Sequence, residues 1–223
     1  MLPIHEGDSG ARGKNIYAQT TQQKLLVQRL KKEGYKVAEL DFPGYDRTFF
    51  GAIVRRFLNG EFGGINEVDP HLASILYALD RFEMKATLIK WMEQKKIIIA
   101  NRYTTSNLIH QGSKLPYNQR AVFTSWLEKM EYDVLNITRP NLVLYLSLPH
   151  ALAYALITKR GKKKDIHEKD REHLKSAARY GLELARKEKW RIIKCNRGNK
   201  IKRKKEIAEA IWKRVLMKLK TTA

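Results

Sequence analysis

Short apolar runs alternate with amphipathic stretches along most of this chain. The β-branched run that opens at Ile97 is typical of a strand buried on both faces of a parallel sheet. Leu25, Leu26 and Leu30 fall on one side of a predicted helix, which Gly34 ends. The predicted strands are Leu2–His5, Tyr35–Asp41, the run from Ile97, Leu142–Leu148 and Trp190–Lys194. The main predicted helices are Thr20–Glu33, Phe49–Leu58, Pro70–Glu93, Gln119–Lys129 and Lys205–Lys218.

This alternation predicts the fold class. Five strands interleaved with helices indicate an α/β protein with a doubly wound, five-stranded parallel sheet between two helical layers. We see no internal repeat and no linker, so residues 1–223 are expected to form a single domain.

Polar residues follow the third predicted strand directly. Asn101, Arg102 and Tyr103 come first, and a cluster of hydroxyl side chains comes next. In open α/β sheets, ligands bind just beyond the carboxyl ends of the strands. The sequence therefore predicts that a cation, a phenol and several hydrogen-bonding groups lie where such folds carry out chemistry.

The charge is strongly positive and uneven. The formal net charge is +21, and the chain after residue 150 holds 24 basic against 8 acidic residues. A solvated lysine-rich surface, a phosphate-rich ligand and a nucleic acid are all compatible with this balance. Charge alone does not separate these interpretations, because ATP and RNA both present phosphates.

Several classes of protein are disfavoured. No apolar run approaches the roughly 20 residues that span a bilayer, and no secretory signal is visible, so we expect no membrane association. The single cysteine, Cys195, excludes an intrachain disulfide and a cysteine-built metal site. These features favour the cytosol.

A glycine-rich segment follows the first predicted strand. Its glycines Gly7, Gly10 and Gly13 would let successive backbone N–H groups wrap phosphates, and Lys14 would reach the outer phosphates. In phosphate-binding loops of this kind, the usual spacing is a glycine, four further residues, and then Gly-Lys-Ser or Gly-Lys-Thr. Here five residues separate Gly7 from Gly13, and Asn15 stands where the hydroxyl is expected. A plain glycine-rich turn is the alternative.

Taken together, the segments resemble the thymidylate kinase family of P-loop nucleoside monophosphate kinases. The matching segments are Glu6–Gly7, Thr20–Leu26, Asp41–Pro43, Leu76–Arg81, Asn101–Tyr103 with Ser106 and Gln111–Gly112, and Arg139–Val143. They occur in the family's order and at nearly its spacing. The resemblance implies transfer of the γ-phosphate of ATP to dTMP, with ATP and Mg²⁺ as cofactors, and a homodimer formed through the helices around residues 49–60 and 70–93.

The resemblance assigns the acceptor nucleotide to a set of side chains. Tyr77 would stack on the base, a contact typically worth about 1–3 kcal/mol. Arg81 lies on the same helical face and would approach the acceptor nucleotide, while Arg102 would hold its phosphate with a bidentate fork. Ser106 and Gln111 would border the base, with helix capping as the alternative.

The turn after the second strand matches less closely. Pro43 would lie beneath the acceptor, and Arg47 would take the place of an arginine that the family usually has nearer to this proline.

The resemblance also assigns the ATP side. The residues that would bind ATP are Gly7, Gly10, Gly13, Lys14, Thr20, Thr21, Lys162 and Lys163. The catalytic residues would be Lys14, Arg102 and Arg160. The metal would be held by Thr20 and Asp41. Residues 159–170 resemble the lid that closes over ATP. Cations arriving there would stabilise the transferring phosphoryl group and exclude water.

Two departures leave alternatives open. Asn15–Gln19 intervene between Gly13-Lys14 and Thr20, and Asn101 stands where many family members have aspartate. The main hypothesis is a functioning dTMP kinase with an atypical ATP loop. The alternatives are a catalytically weakened relative, a nucleic-acid-binding protein on the same scaffold, and a kinase for another acceptor such as dUMP.

Overall fold

The computed structural model describes residues 2–6, 19–159 and 165–221. Its strands are β1 (Leu2–Glu6), β2 (Val37–Asp41), β3 (Ile97–Asn101), β4 (Leu144–Ser147), β5 (Arg191–Lys194) and a small hairpin of β6 (Asn196–Arg197) and β7 (Lys200–Ile201). Its helices are α1 (Gln19–Lys32), α2 (Phe49–Leu58), α3 (Pro70–Glu83), α4 (Lys85–Glu93), α5 (Thr104–Gly112), α6 (Arg120–Glu128), α7 (His150–Lys159), α8 (Ile166–Lys169), α9 (Arg171–Lys187) and α10 (Lys204–Lys220). A 3₁₀ turn (Tyr117–Gln119) and a π-helical segment (Lys129–Val134) flank α6.

Strands β1 to β5 form a parallel sheet in the order β2-β3-β1-β4-β5. Successive side chains of a strand point to opposite faces, so a strand buried on both faces reads as a continuous apolar run. In β3, Ile99 packs with one core cluster, while Ile98 and Ala100 pack with another. This explains why the run from Ile97 shows no polar alternation.

Helices cover both faces of the sheet. One core cluster joins α1 and α10 to β3, β4 and β5, for example through Leu30, Leu144 and Ile211. On the other face, α4 packs on β2 and β3, while α5, α6 and α9 pack around Tyr145 of β4. The arrangement is therefore an αβα sandwich.

The topology fixes where a ligand can bind. From β1 the chain leads to β2 on one side of the sheet, and from β3 it leads to β4 on the other side. Neighbouring strands whose connections diverge leave a crevice at their carboxyl ends. Asn101 ends β3 there and lies in register with Asp41 of β2 and Ile4 of β1.

Two predicted helices differ from the structure. The predicted helix Pro70–Glu93 is two helices. The first, α3, ends at Glu83, and the backbone N–H of the following Met84 bonds back to the carbonyls of Arg81 and Phe82. Such a local break leaves the apolar spacing nearly unchanged, so the sequence pattern misses it. The helix predicted to end at Lys129 continues as the π-helical segment to Val134. No helix of the described ranges is long and apolar enough to cross a membrane.

Candidate functional site

The turn after β2 is anchored to α3. The Gly44 N–H donates to both carboxylate oxygens of Asp80 at 3.1 Å, and the Thr48 hydroxyl also bonds to Asp80. Asp80 is fully buried, and its burial raises the pKa of the carboxyl although these donors oppose the shift. A Cβ on Gly51 would lie 2.5 Å from the Gly44 carbonyl, so α2 approaches the turn this closely only because position 51 is glycine. The turn is thus held rigidly at the sheet edge.

Pro43 and Arg47 both lie in this turn region. Pro43 is half-buried and follows Phe42 through a cis peptide bond. Arg47 is exposed and donates through Nη2 to the backbone carbonyl of Asp41. The structure therefore brings both predicted acceptor residues to the carboxyl end of β2.

Arg102 occupies the carboxyl end of β3 in a left-handed backbone conformation. Its φ of +62° is unusual for a residue with a side chain and costs about 1–2 kcal/mol. Its Nη1 lies 3.0 Å from Nε2 of His110. Burial and then Glu168 raise the pKa of Asp165 to about 6, and Arg102 opposes that shift. Arg102 therefore faces both α5 and the residue that precedes α8.

Tyr77 lies beside these charges. Its ring is half-buried on α3 and meets the ring of Phe57 edge-on, with centroids 6.4 Å apart. Burial raises the pKa of the Tyr77 phenol, Tyr45 and Asp165 add to the shift, and Arg102 and Arg81 oppose it. The electrostatic influence of both predicted arginines therefore reaches the phenol.

Arg81 is held by a carboxylate that the sequence did not reveal. Its side chain is 2% exposed, and its Nε and Nη2 lie 2.7 and 2.5 Å from the two carboxylate oxygens of Glu131. The Asn107 amide donates to the same carboxylate at 3.2 Å and to the Ser74 carbonyl at 3.0 Å. This network ties α3, α5 and the π-helical segment together.

Ser106 and Gln111 lie on α5, which packs against α3. The Ser106 N–H donates to the Tyr103 carbonyl in the first turn of the helix. Gln111 is fully buried, and neither its Oε1 nor its Nε2 has a hydrogen-bond partner among the described residues. A buried amide left unpaired costs about 1–3 kcal/mol, and a polar ligand bound there would remove this cost.

Two residues with oxygen-bearing side chains, Asp41 and Asn101, lie in register at the carboxyl ends of β2 and β3. The Oδ1 atom of Asn101 is buried without a hydrogen-bond partner in the described part of the chain, and the neighbouring Asp41 is exposed. Carboxylate and amide oxygens are ligands that Mg²⁺ accepts. Thr20 and Thr21 lie half-buried in the first turn of α1, which follows β1 in the chain.

The sequence comparisons decide the family. The family model described as thymidylate kinase matches residues 18–207. The chain belongs to the thymidylate kinase family. A thymidylate kinase of Mycobacterium tuberculosis is 27% identical over 190 residues, covering 83% of this chain and 86% of that protein. A probable thymidylate kinase of Thermococcus onnurineus is 32% identical over 154 residues, 67% of each chain. A thymidylate kinase of Synechococcus sp. JA-2-3B'a(2-13) is 29% identical over 197 residues, 86% of each chain.

Part of the site that the thymidylate kinase resemblance implies lies outside the described residues. The residues concerned are Gly7, Gly10, Gly13, Lys14, Arg160, Lys162 and Lys163. Their assignment to ATP and to catalysis stays a prediction, and the matched range begins after the glycine-rich segment.

The structure adds side chains to this thymidylate kinase site that the sequence analysis missed. Glu131 partners Arg81 across fifty residues, and His110 contacts Arg102. His167 and His173 lie on α8 and α9, and the three imidazole rings pack on one another. No spacing in the sequence signals these contacts, because each depends on how separate helices pack.

A cavity of about 520 Å³ lies elsewhere on this family member. Its lining includes Val143 and Trp190, which immediately precede β4 and β5, together with basic side chains such as Arg214. The cavity therefore lies beside the amino ends of β4 and β5.

Proposed function

We propose that this chain transfers the γ-phosphate of ATP to dTMP, giving ADP and dTDP. The observation that supports the proposal is that three suitable groups lie on the packed helices α3 and α5 and at the end of β3, which leads directly into α5. They are the half-buried ring of Tyr77, the strained and half-buried Arg102, and the buried, unpartnered amide of Gln111. An aromatic face, a cation and an amide suit a nucleoside monophosphate.

In this proposal the acceptor is fixed at both ends. The ring of Tyr77 stacks on thymine, and the Gln111 amide bonds to the polar edge of the base, which removes its hydrogen-bond deficit. The Arg102 guanidinium binds the 5′-phosphate with two parallel hydrogen bonds. The buried Arg81–Glu131 pair positions α3 and α5 so that these groups face the same nucleotide.

The proposed donor side uses the P-loop type of fold, with the carboxyl edge of the five-stranded sheet as the nucleotide site. The amino-terminal turn of α1, with Thr20 and Thr21, offers backbone N–H groups and a favourable dipole to phosphate. The glycine-rich segment and Lys14 wrap the triphosphate. Thr20 and Asp41 hold Mg²⁺, with the amide oxygen of Asn101 beside them, and the ion would neutralise phosphate charge when bound.

Catalysis then rests on position and charge. Phosphoryl transfer needs the attacking and leaving oxygens roughly in line and cations around the transferring group. Arg102 orients the acceptor phosphate as the attacking group. The lid of residues 159–170 brings Arg160, Lys162 and Lys163 over ATP and excludes water, which prevents wasteful hydrolysis.

We also propose a homodimer formed through α2, α3 and α6. Three large apolar side chains on these adjacent helices are exposed: Phe49 by 69%, Leu72 by 62% and Val122 by 73%. Exposed apolar side chains on packed neighbouring helices are a sign of a protein interface.

An acceptor panel tests the proposed activity. Purified protein is incubated with ATP, Mg²⁺ and dTMP, dUMP, CMP or AMP, and the products are separated by anion-exchange chromatography. We expect ADP and dTDP in equal amounts, and a rate with dTMP above that with the other acceptors. The Arg102→Met variant should lose about 10²–10³-fold in kcat. A matched Arg186→Met variant, changed at an exposed position of α9, should keep the wild-type rate.

Two outcomes would overturn the proposal. Protection of the fold by dTMP without any ADP formation would indicate a weakened relative. Salt-sensitive RNA binding that ATP does not affect would indicate a nucleic-acid-binding protein instead.

A further inference from the structure

Three histidines from three helices meet in the interior beside Arg102. His110 of α5, His167 of α8 and His173 of α9 are each 6–7% exposed. One ring nitrogen from each lies within 4.8 Å of the other two. The closest pair is Nδ1 of His167 and Nε2 of His173, which lie 3.1 Å apart. We call these residues the histidine cluster.

Hydrogen bonding in the described part of the chain uses only one ring nitrogen of His167, the Nδ1 that faces His173. The Nε2 atom of His167 is buried and has no hydrogen-bond partner in the part of the chain that the structure describes. A neutral imidazole carries a lone pair on one ring nitrogen, and this lone pair can bind a metal.

We propose that the histidine cluster binds a divalent transition-metal ion of the Zn²⁺ class. Zn–N bonds of about 2.0–2.1 Å place two nitrogens of a tetrahedral site about 3.3–3.4 Å apart. The 3.1 Å separation of the His167 and His173 nitrogens is close to this value. His110 completes three protein ligands after an inward shift of its ring. The fourth position is left to water or an oxyanion.

The ligand set distinguishes this ion from the Mg²⁺ that accompanies ATP. Imidazole nitrogens favour Zn²⁺ and its neighbours, whereas Mg²⁺ prefers oxygen ligands. The histidine cluster is therefore a separate site with a different metal preference.

Charges of both signs surround the histidine cluster. Arg102 and Lys114 are the nearby cations. Two acidic residues offset them: Glu168 follows His167 directly and is fully buried, and Asp165 accepts a hydrogen bond from the Glu168 N–H at 2.8 Å. Without these carboxylates, two cations would repel the ion.

Metal binding and the Arg102 contact compete for His110. A neutral imidazole has one acceptor nitrogen, and Nε2 of His110 lies 3.0 Å from the Arg102 guanidinium. If that lone pair, or its tautomeric equivalent on Nδ1, binds a metal, this hydrogen bond is lost. On the proposed function, the metal would therefore release Arg102 from His110 toward the acceptor phosphate.

The test uses the full chain without nucleotides, so that its outcome is independent of kinase activity. The protein is stripped with a chelator and titrated with Zn²⁺ by calorimetry and with Co²⁺ by visible absorption, since tetrahedral Co²⁺ has a distinctive spectrum. We expect one ion per chain. His167→Gln and His173→Gln each remove a metal ligand and should weaken Zn²⁺ binding by more than about ten-fold. Losing only a residue that hydrogen-bonds to a metal ligand already weakens binding by about ten-fold or more. The half-exposed His71→Gln variant, in which Asp69 loses its histidine contact, should bind as the wild type does.

A further variant tests the proposal even if the histidine variants do not fold. Arg102→Met removes the competing guanidinium, so it should raise Zn²⁺ affinity severalfold. Circular dichroism of each stripped variant reports whether it folds. The proposal is overturned if the wild type binds neither ion, or if Zn²⁺ affinity is unchanged in folded histidine variants. If both histidine variants fail to fold, unchanged affinity in Arg102→Met overturns it.

Discussion

Glu131→Gln should strongly destabilise the protein, because it leaves the charge of Arg81 buried without its counterion. Both side chains are at most 2% exposed and are joined by two hydrogen bonds of 2.7 and 2.5 Å. Breaking a buried pair at one partner costs about 3–5 kcal/mol. The Asn107 amide donates to the same carboxylate over 3.2 Å in the wild type, and Glu131→Gln weakens this acceptor. That adds about 1 kcal/mol to the loss of stability. This is a large part of the roughly 5–15 kcal/mol that stabilises a typical domain.

Urea unfolding followed by circular dichroism measures this loss. Replacing both partners, as Arg81→Met with Glu131→Leu, should recover much of the stability, because no buried charge then remains unpaired. The matched control is Arg56→Gln, which breaks an exposed pair with Glu61 and should cost at most about 1 kcal/mol. A loss below 1 kcal/mol for Glu131→Gln, or a double variant no more stable than the single one, would refute the reasoning.

Three further predictions concern binding, pH and assembly. Gln111→Leu should stabilise the unliganded protein by about 1–2 kcal/mol in thermal unfolding, since it removes a buried unpaired amide, yet weaken dTMP binding about ten-fold in calorimetry. Lys114→Met should stabilise the metal-stripped protein by at most about 3 kcal/mol at pH 7, because burial lowers the pKa of Lys114 to about 8. The unfolded chain keeps this proton up to about pH 10.5, so wild-type stability should rise relative to the variant between pH 8 and 10.5; a constant difference would contradict the assignment. Leu72→Asp should convert the proposed dimer to monomer in light scattering, and an unchanged mass would exclude this interface.

The sequence predicted those parts of the fold that local pattern controls. The helix over residues 49–58 has the predicted bounds, because Thr48 supplies an N-cap and Asn59-Gly60 ends it. The strand from Ile97 was predicted because both of its faces are buried. The break at Met84 was missed, because it depends on backbone geometry that leaves apolar spacing almost unaltered.

The candidate site was predicted only in part, for a physical reason. Tyr77 lies on the predicted helix and Arg102 directly after the predicted strand, because helix spacing and an apolar run are local signals. The burial of Arg81 against Glu131 depends on packing between distant segments, and so does the histidine cluster. Such contacts leave no periodic signal along the chain.

The most direct test of the central claim is ³¹P NMR of the wild-type protein with ATP, Mg²⁺ and dTMP. We predict that the dTMP phosphorus signal declines while the two signals of dTDP grow in step with those of ADP. A spectrum in which dTMP persists, although the nucleotide raises the melting temperature of the same sample, would contradict the account.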